Sequence, residues 1–453
     1  MFIDSLQRAA TWGRPYRAHT IHKPYKSICL HGKWGERPRE SVTVIPGKPV
    51  KPDCPKAQTF PPEPETGFSL CRFRRNGTFF TESEAILLTL SEQKLFALTS
   101  QITPPDGAAM QRARLRQAEL AKPPGSLGLL EELSVQLAGI TGQVHNEVGK
   151  TRLYVFAADN GVTAEGVASA PQSVTMAQSV NLTRGLTGAG CLCKHFGDEL
   201  IVVDMGIHDP YFCPAIVNRS LGKGTKNLAV EPAMTREQAV EAILTGFSFA
   251  VEAKKDGVSL VGAGEMGIGN TTTSSAVLSC LTGLPVSVVT GRGGGITDAA
   301  FVHKKEVIER ALSLHQPNPA DPIDVLSKVG GFDICAMAGF YLGCAHERLP
   351  VVIDGFIAIV AALCAARLCR SSVGYFIASH ESFEPGYRKA AEELGLRPFL
   401  DMGMRLGEGS GCPLAFRMVE AACAVMNTMA TFPEAAINDD YLTEIRAKDS
   451  FTV

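Results

Sequence analysis

Val258-Ser259-Leu260-Val261-Gly262-Ala263-Gly264-Glu265-Met266-Gly267 opens as a short apolar, β-branched run and passes through a glycine-rich turn toward a helix. Five further runs of the same kind alternate with helical stretches: Leu153 to Ala157, Leu200 to Val203, Val286 to Val289, Val351 to Ile353 and Tyr375 to Ala378. Strands this apolar have no polar face to offer solvent, so the six predict a parallel α/β sheet covered by helices on both faces. The helices between them carry their own signals. Leu127, Leu130, Leu133, Leu137 and Ile140 recur at three- and four-residue steps up to Gly142. Thr235 and Gln238 have the spacing of a capping box opening a long helix that closes near Gly257.

The residues after each run carry the chemistry. They are Asp159-Asn160-Gly161, Asp204-Met205-Gly206, Gly262 to Gly269, Gly291 to Gly295, Asp354-Gly355 and Ser379-His380-Glu381. In an open, Rossmann-like sheet the C-terminal strand ends line the ligand crevice, so topology brings these glycines and acids to one place. Asp159, His380 and Glu381 could equally cap the helices that follow.

The rest of the chain bounds the possibilities. With 453 residues, 45% of them hydrophobic, it can bury one large or two ordinary cores. Forty-four basic against 46 acidic residues give a net charge of -2, which favours a small-molecule partner over nucleic acid or an anionic membrane. The 13 cysteines form no framework, and Cys280, Cys364 and Cys423 sit in apolar runs, as buried thiols do in a reducing cytoplasm. Cys191, Cys193 and His195 read as part of a helix rather than a metal site, because i and i+2 point different ways. The apolar run from Pro350 to Cys369 is broken at Asp354-Gly355, which predicts a buried strand feeding a core helix and no membrane span. Residues 1–85, with a proline-rich stretch from Pro46 to Pro64 and basic Arg72, Arg74 and Arg75, read as a poorly ordered extension. A transit peptide and a misassigned upstream start fit that segment equally, and it lacks the apolar core of a secretory signal.

Three glycine-rich turns differ in what they can hold. Gly262 to Gly267 satisfies GxGxxG, which raises a nicotinamide-dependent dehydrogenase. No acid stands about 20 residues on to bind a ribose hydroxyl, and Glu265 would repel a pyrophosphate inside the turn. Gly291-Arg292-Gly293-Gly294-Gly295, followed by Asp298, Lys304 and Lys305, offers backbone N-H groups and a lysine, a phosphate cradle that needs no metal. Arg405-Leu406-Gly407-Glu408-Gly409-Ser410-Gly411 sets a carboxylate between glycines, beside an arginine able to pair with phosphate or carboxylate.

Lys122 to Gly128, Val155 to Gly166, Gly224-Thr225 with Asn227, Pro232 to Thr235, Gly264 to Thr273, Lys328 to Phe332, Asp354 to Phe356, Ser379-His380 and Arg405 to Gly411 follow one another in that order. On these blocks the chain, from about Leu87 to its end, resembles the nicotinate-nucleotide dimethylbenzimidazole phosphoribosyltransferase family. The resemblance implies transfer of phosphoribosyl from nicotinate mononucleotide to a benzimidazole-type base, in assembly of the cobalamin nucleotide loop. It implies that Glu408 is the catalytic base and Glu265 the second acid. Gly293, Gly295, Lys304 and Arg405 would hold the nucleotide, with Gly264, Gly267, Asn270, Ala168 and Ser169 completing the substrate site. It further implies no cofactor, a homodimer, and a large α/β domain over about 150–400 beside a smaller helical domain from about 86–149 and 401–453.

The chemistry follows from the substrates. Ribose leaves a cationic pyridinium readily, so the sugar gains oxocarbenium character while Glu408 takes a proton from the incoming azole, a contribution of about 10²–10⁴-fold. Two carboxylates in one crevice push one pKa upward, which suits a base working near neutrality. The chain departs from the family at Asn160 (commonly His), at Ala168 (commonly Ser, with Ser169 one place on), at Gly294 within a Gly-Thr-Gly, and at Thr297 (commonly an acid). These departures bear on which base is accepted, a benzimidazole, a purine or a phenol. They also leave room for a nucleotide-binding regulatory module, against which intact Glu408 argues.

Overall fold

Six strands pair in one parallel sheet, although one of the six differs from the sequence reading. The computed structural model describes residues 88–448, together with the backbone of a short antiparallel pair, β1 (Arg74–Arg75) and β2 (Thr78–Phe79). Apart from that pair, the reading of residues 1–85 lies outside the described residues. The sheet comprises β3 (Lys150–Ala158), β4 (Glu199–Gly206), β5 (Ile216–Asn218), β6 (Val258–Met266), β7 (Val351–Ile353) and β8 (Phe376–Ala378), in the spatial order β5-β4-β3-β6-β7-β8. Every neighbouring pair is parallel. The chain runs outward from β3 to β5, then returns to β6 on the other side of β3. The loops leaving β3 and β6 therefore diverge, and a crevice opens between them.

Val286 to Val289, expected as a strand, is a single helical turn behind Pro285. Val286 and Val289 are buried while Ser287 and Val288 are exposed, a three-residue period that β-branched composition conceals. The sixth strand is Ile216–Asn218, an edge strand with only Ile216 buried, too short and polar for an apolar run to mark it. The GxGxxG reading fails on geometry: Gly262 and Gly264 lie inside β6, and the chain turns only at Gly267 to Gly269. Those two positions are glycine because a Cβ at Gly262 would strike Cys412 and one at Gly264 the backbone of Gly409.

Both faces of the sheet are covered. Along β3, Tyr154, Phe156 and Ala158 enter one core and Leu153, Val155 and Ala157 the other. The first core is built around α6 (Arg236–Lys255) and α11 (Phe332–His346), which lie so close that a Cβ at Gly246 would meet the Ala336 carbonyl and one at Gly339 the Ile243 carbonyl. The second holds Leu133 and Leu137 of α3 (Leu129–Thr141) against Cys412, Phe416 and Val419 of α14 (Gly411–Thr428). Gly142 ends α3 in the left-handed conformation, and the Thr235/Gln238 capping box opens α6, as their spacing predicts. Residues 88–448 lie within one compact unit. The Pro350 to Cys369 run divides at Asp354-Gly355 into β7 and α12 (Phe356–Leu368), and no helix among the described residues is long and apolar enough to cross a membrane.

Candidate active site

Glu265, the last residue but one of β6, is buried and faces a cavity. The turn through Gly267 and Gly269 starts α7 (Asn270–Thr282), and Asn270, its first residue, reaches back so that its side-chain amide donates to Glu265 and, at 3.1 Å, to Asp333. Burial pushes the Glu265 carboxyl up to about 8, with the negative fields of Asp333 and Asp354 adding to it. Burial likewise lifts Asp333 to about 6. At neutral pH Glu265 therefore holds its proton, and the cluster avoids a second uncompensated charge.

The loop before α14 presents Glu408. Gly407, Glu408 and Gly409 all have positive φ (83°, 64° and 83°), and Glu408 is one of four non-glycine residues in that region among those described. Asp354, at the end of β7, fixes the loop by accepting N-H groups from Gly409 (3.1 Å) and Gly411 (2.7 Å). The Glu408 carboxylate then faces the N-terminus of α5 (Gly188–Phe196), where the Ala189 N-H donates to it at 3.3 Å. Burial raises its pKa, and the contacts with Ala189, Thr187 and Gly188 oppose that rise. The result is a carboxylate shielded from solvent and still supported in its basic form.

The third turn, Gly291 to Gly295, leads into α9 (Asp298–His315). Thr297 caps that helix, its hydroxyl accepting from the Ala300 N-H at 3.3 Å. Lys304, almost fully buried on the same helix, donates to Thr271 Oγ1 at 2.8 Å, and burial lowers its pKa to about 8. The Gly293 N-H donates to a carboxylate the sequence reading did not single out, Glu384, at 2.9 Å. The Arg405 guanidinium lies over the Phe383 ring, 5.5 Å from its centre.

These three turns wall one cavity. Of the expected site residues, Ala168, Ser169, Glu265, Gly267, Asn270, Gly293, Arg405 and Glu408 line it. Gly264, Gly295 and Lys304 lie outside its wall; Lys304 reaches it through Thr271, and Gly264 serves the packing of β6 against Gly409. His380 lines the cavity, whereas Glu381 pairs with Arg388, and Asp159 accepts from the His208 N-H at 2.8 Å. Asn160 is buried beneath Gly267 and Thr297 is a helix cap, so of the four departures Ala168 and Gly294 are the two that line the cavity, and of these Ala168 is the one that replaces a residue in the segment expected to face the base. Sequence reasoning assigned no role to Glu384, Asp333, Thr271 and Asp354; Thr271 and Asp354 lie in blocks that carry the family resemblance, Asp354 also at a strand end, whereas Glu384 and Asp333 carried no signal. Cys191 is exposed and Cys193 buried on α5, and no group of three or more potential ligands converges on a metal position among the described residues.

Residues 102–437 match the family model described as "Phosphoribosyltransferase". A nicotinate-nucleotide–dimethylbenzimidazole phosphoribosyltransferase of Clostridium perfringens is 48% identical over 348 residues, 77% of this chain and 96% of that protein. The chain belongs to this phosphoribosyltransferase family. The Chloroflexus aggregans protein of the same name is 49% identical over 75% of this chain and 97% of its own. The crystal structure of CobT from Thermus thermophilus superposes with a TM-score of 0.71 at 40% identity, covering 73% of this chain and 99% of that one. In this family member the match takes in all three turns, while residues 1–101 lie outside the region matched by the family model.

Proposed function

We propose that this phosphoribosyltransferase moves phosphoribosyl from nicotinate mononucleotide to a ring nitrogen of 5,6-dimethylbenzimidazole or a related base, releasing nicotinate and α-ribazole 5'-phosphate for the lower loop of cobalamin. The names of the relatives support the substrates. The observation that carries the mechanism is the buried carboxylate of Glu408, held in a positive-φ loop on the wall of the cavity that Gly293 and Arg405 also line.

The residues divide the work. Lys304, acting with Thr271, and the glycine turn hold the phosphate end, and Arg405 pairs with an anionic group of the nucleotide. The pyridinium leaves as nicotinate while the azole attacks the anomeric carbon from the opposite face, inverting it. Glu408 accepts the proton from the other ring nitrogen. Glu265, kept protonated by burial and by the negative field of Asp333 against the opposing hydrogen bond from Asn270, acts as a hydrogen-bond donor to the ribose rather than as a second base. No diphosphate departs, so the reaction has no such charge for Mg²⁺ to neutralise.

The working form we propose is a cytoplasmic homodimer, with the terminal helices as a smaller domain beside the sheet. Incubating the protein with nicotinate mononucleotide and a panel of benzimidazoles, purines and phenols, and following ribotides by mass, tests the reaction. A base-dependent ribotide is expected; none from any acceptor would leave a nucleotide-binding regulatory protein.

A further inference from the structure

Glu384 stands where the glycine turn should receive an anion. It precedes α13 (Pro385–Leu394) without capping it, is 7% exposed, and its Oε1 accepts the Gly293 N-H at 2.9 Å. Its Oε2 is buried and has no hydrogen-bond partner. Gly291 has to be glycine because a Cβ there would fall on that oxygen. The turn is thus shaped around a side-chain carboxyl.

The charges facing this carboxyl are Lys304 from α9 and Arg405 from the loop before Glu408. Arg292, within the turn, is already paired with Asp298 at 2.5 Å. Asp354, His380, Glu265 and Glu408 line the remainder of the cavity. Neither Lys304 nor Arg405 has a carboxylate within ion-pair distance among the described residues. A phosphate dianion placed against Lys304 and Arg405 is balanced by those two cations, and an ionised Glu384 would add a third negative charge with nothing to offset it.

We propose that Glu384 binds the nucleotide phosphate as a neutral carboxylic acid, its Oε1 accepting from Gly293 and its Oε2–H donating to a phosphate oxygen. This rests on the reading that the turn holds the phosphate. The proton comes from solvent on binding, and it gives the one orphaned oxygen of the carboxyl a partner. Burial already raises the Glu384 pKa in the empty site, against the opposing fields of Lys304 and Arg405. Phosphate recognition is therefore coupled to uptake of a proton. Affinity falls as pH rises above the pKa of the empty site, by up to about tenfold per pH unit.

The test is calorimetry of nicotinate mononucleotide binding, without acceptor, in buffers of different ionisation enthalpy at pH 7, for the wild type and Glu384→Gln. Glutamine keeps the acceptor and supplies a permanent N-H donor. The wild type should take up more protons than the variant, and the variant should bind more tightly than the wild type at pH 8. The difference cancels contributions from Lys304 and from the phosphate itself. Nicotinate riboside, which lacks phosphate, should show no excess uptake in the wild type, a comparison that needs no variant. Equal uptake in both proteins, or weaker binding by Glu384→Gln at every pH, would overturn the role of Glu384 alone. Unchanged mononucleotide affinity in Lys304→Met would overturn both this role and the phosphate assignment.

Discussion

The side-chain amide of Asn270 bridges two buried carboxyls, Glu265 and Asp333, from the first position of a helix. An amide N-H₂ can satisfy two acceptors but cancels no charge, so the pair keeps a proton near neutrality. Unfolding would release it, since an exposed glutamate titrates near 4.5.

Stability should therefore carry a pH signature. The folded pKa of Glu265, about 8, lies above its ordinary value, so the native state binds more protons between about 4.5 and 8. Its stabilising contribution is complete below that window and is lost as pH rises through it. Thermal unfolding followed from pH 6 to 8.5 should show a falling Tm, and Asp333→Asn, which removes a neighbouring negative charge, should flatten the decline. A Tm that rises over this range in the wild type and not in Asp333→Asn would contradict the pairing.

On the proposed reading Lys304 holds the phosphate and has to be charged to do so, and burial lowers its pKa to about 8 in the free protein. The affinity for nicotinate mononucleotide should weaken as pH rises through that value. Lys304→Met should raise the mononucleotide KM by about 10–100-fold, the worth of one charge-assisted hydrogen bond of about 1.5–3 kcal/mol at 1.4 kcal/mol per tenfold. Steady-state kinetics at pH 7 and 9 measure both effects.

Gly409 has a φ of 83°, and a Cβ there would strike Leu153. Gly409→Ala should cost about 1–2 kcal/mol in backbone strain alone and move Glu408 off its position. A displacement of about 1 Å costs on the order of a hundredfold in rate, so kcat should fall far more than the substrate KM rises. The kcat and KM of the purified variant, with its Tm, separate misalignment from unfolding.

Ala168 lines the cavity where the family commonly has serine. Ala168→Ser should shift the ratio of kcat/KM between competing bases by about 2–12-fold, equivalent to one hydrogen bond of about 0.5–1.5 kcal/mol, toward the base whose ring carries an additional polar atom. A competition assay of benzimidazole against purine reads the ratio directly.

Five of the six strands and both signalled helices were legible because apolar runs and caps are local patterns. Val286 to Val289 was not, since a short run rich in valine fits either a strand or one helical turn, and only tertiary burial of positions 286 and 289 decides between them. Ile216–Asn218 has no apolar run because an edge strand with one buried residue needs none. At the site, Glu408, Glu265 and Lys304 were legible from glycine-flanked charge and family likeness. Glu384 was not, because its partner Gly293 is 91 residues away and only the fold brings them together.

The most direct measurement is nicotinate release in a single turnover by wild type and Glu408→Gln, with saturating mononucleotide and 5,6-dimethylbenzimidazole, from pH 5 to 8. The wild-type rate should fall as acid protonates Glu408, with a midpoint above the ordinary carboxylate value because burial raises it. Glu408→Gln should be slower by about 10²–10⁴-fold and lose that acid limb while still binding the mononucleotide. A variant that keeps the wild-type rate and pH profile would contradict Glu408 as the base.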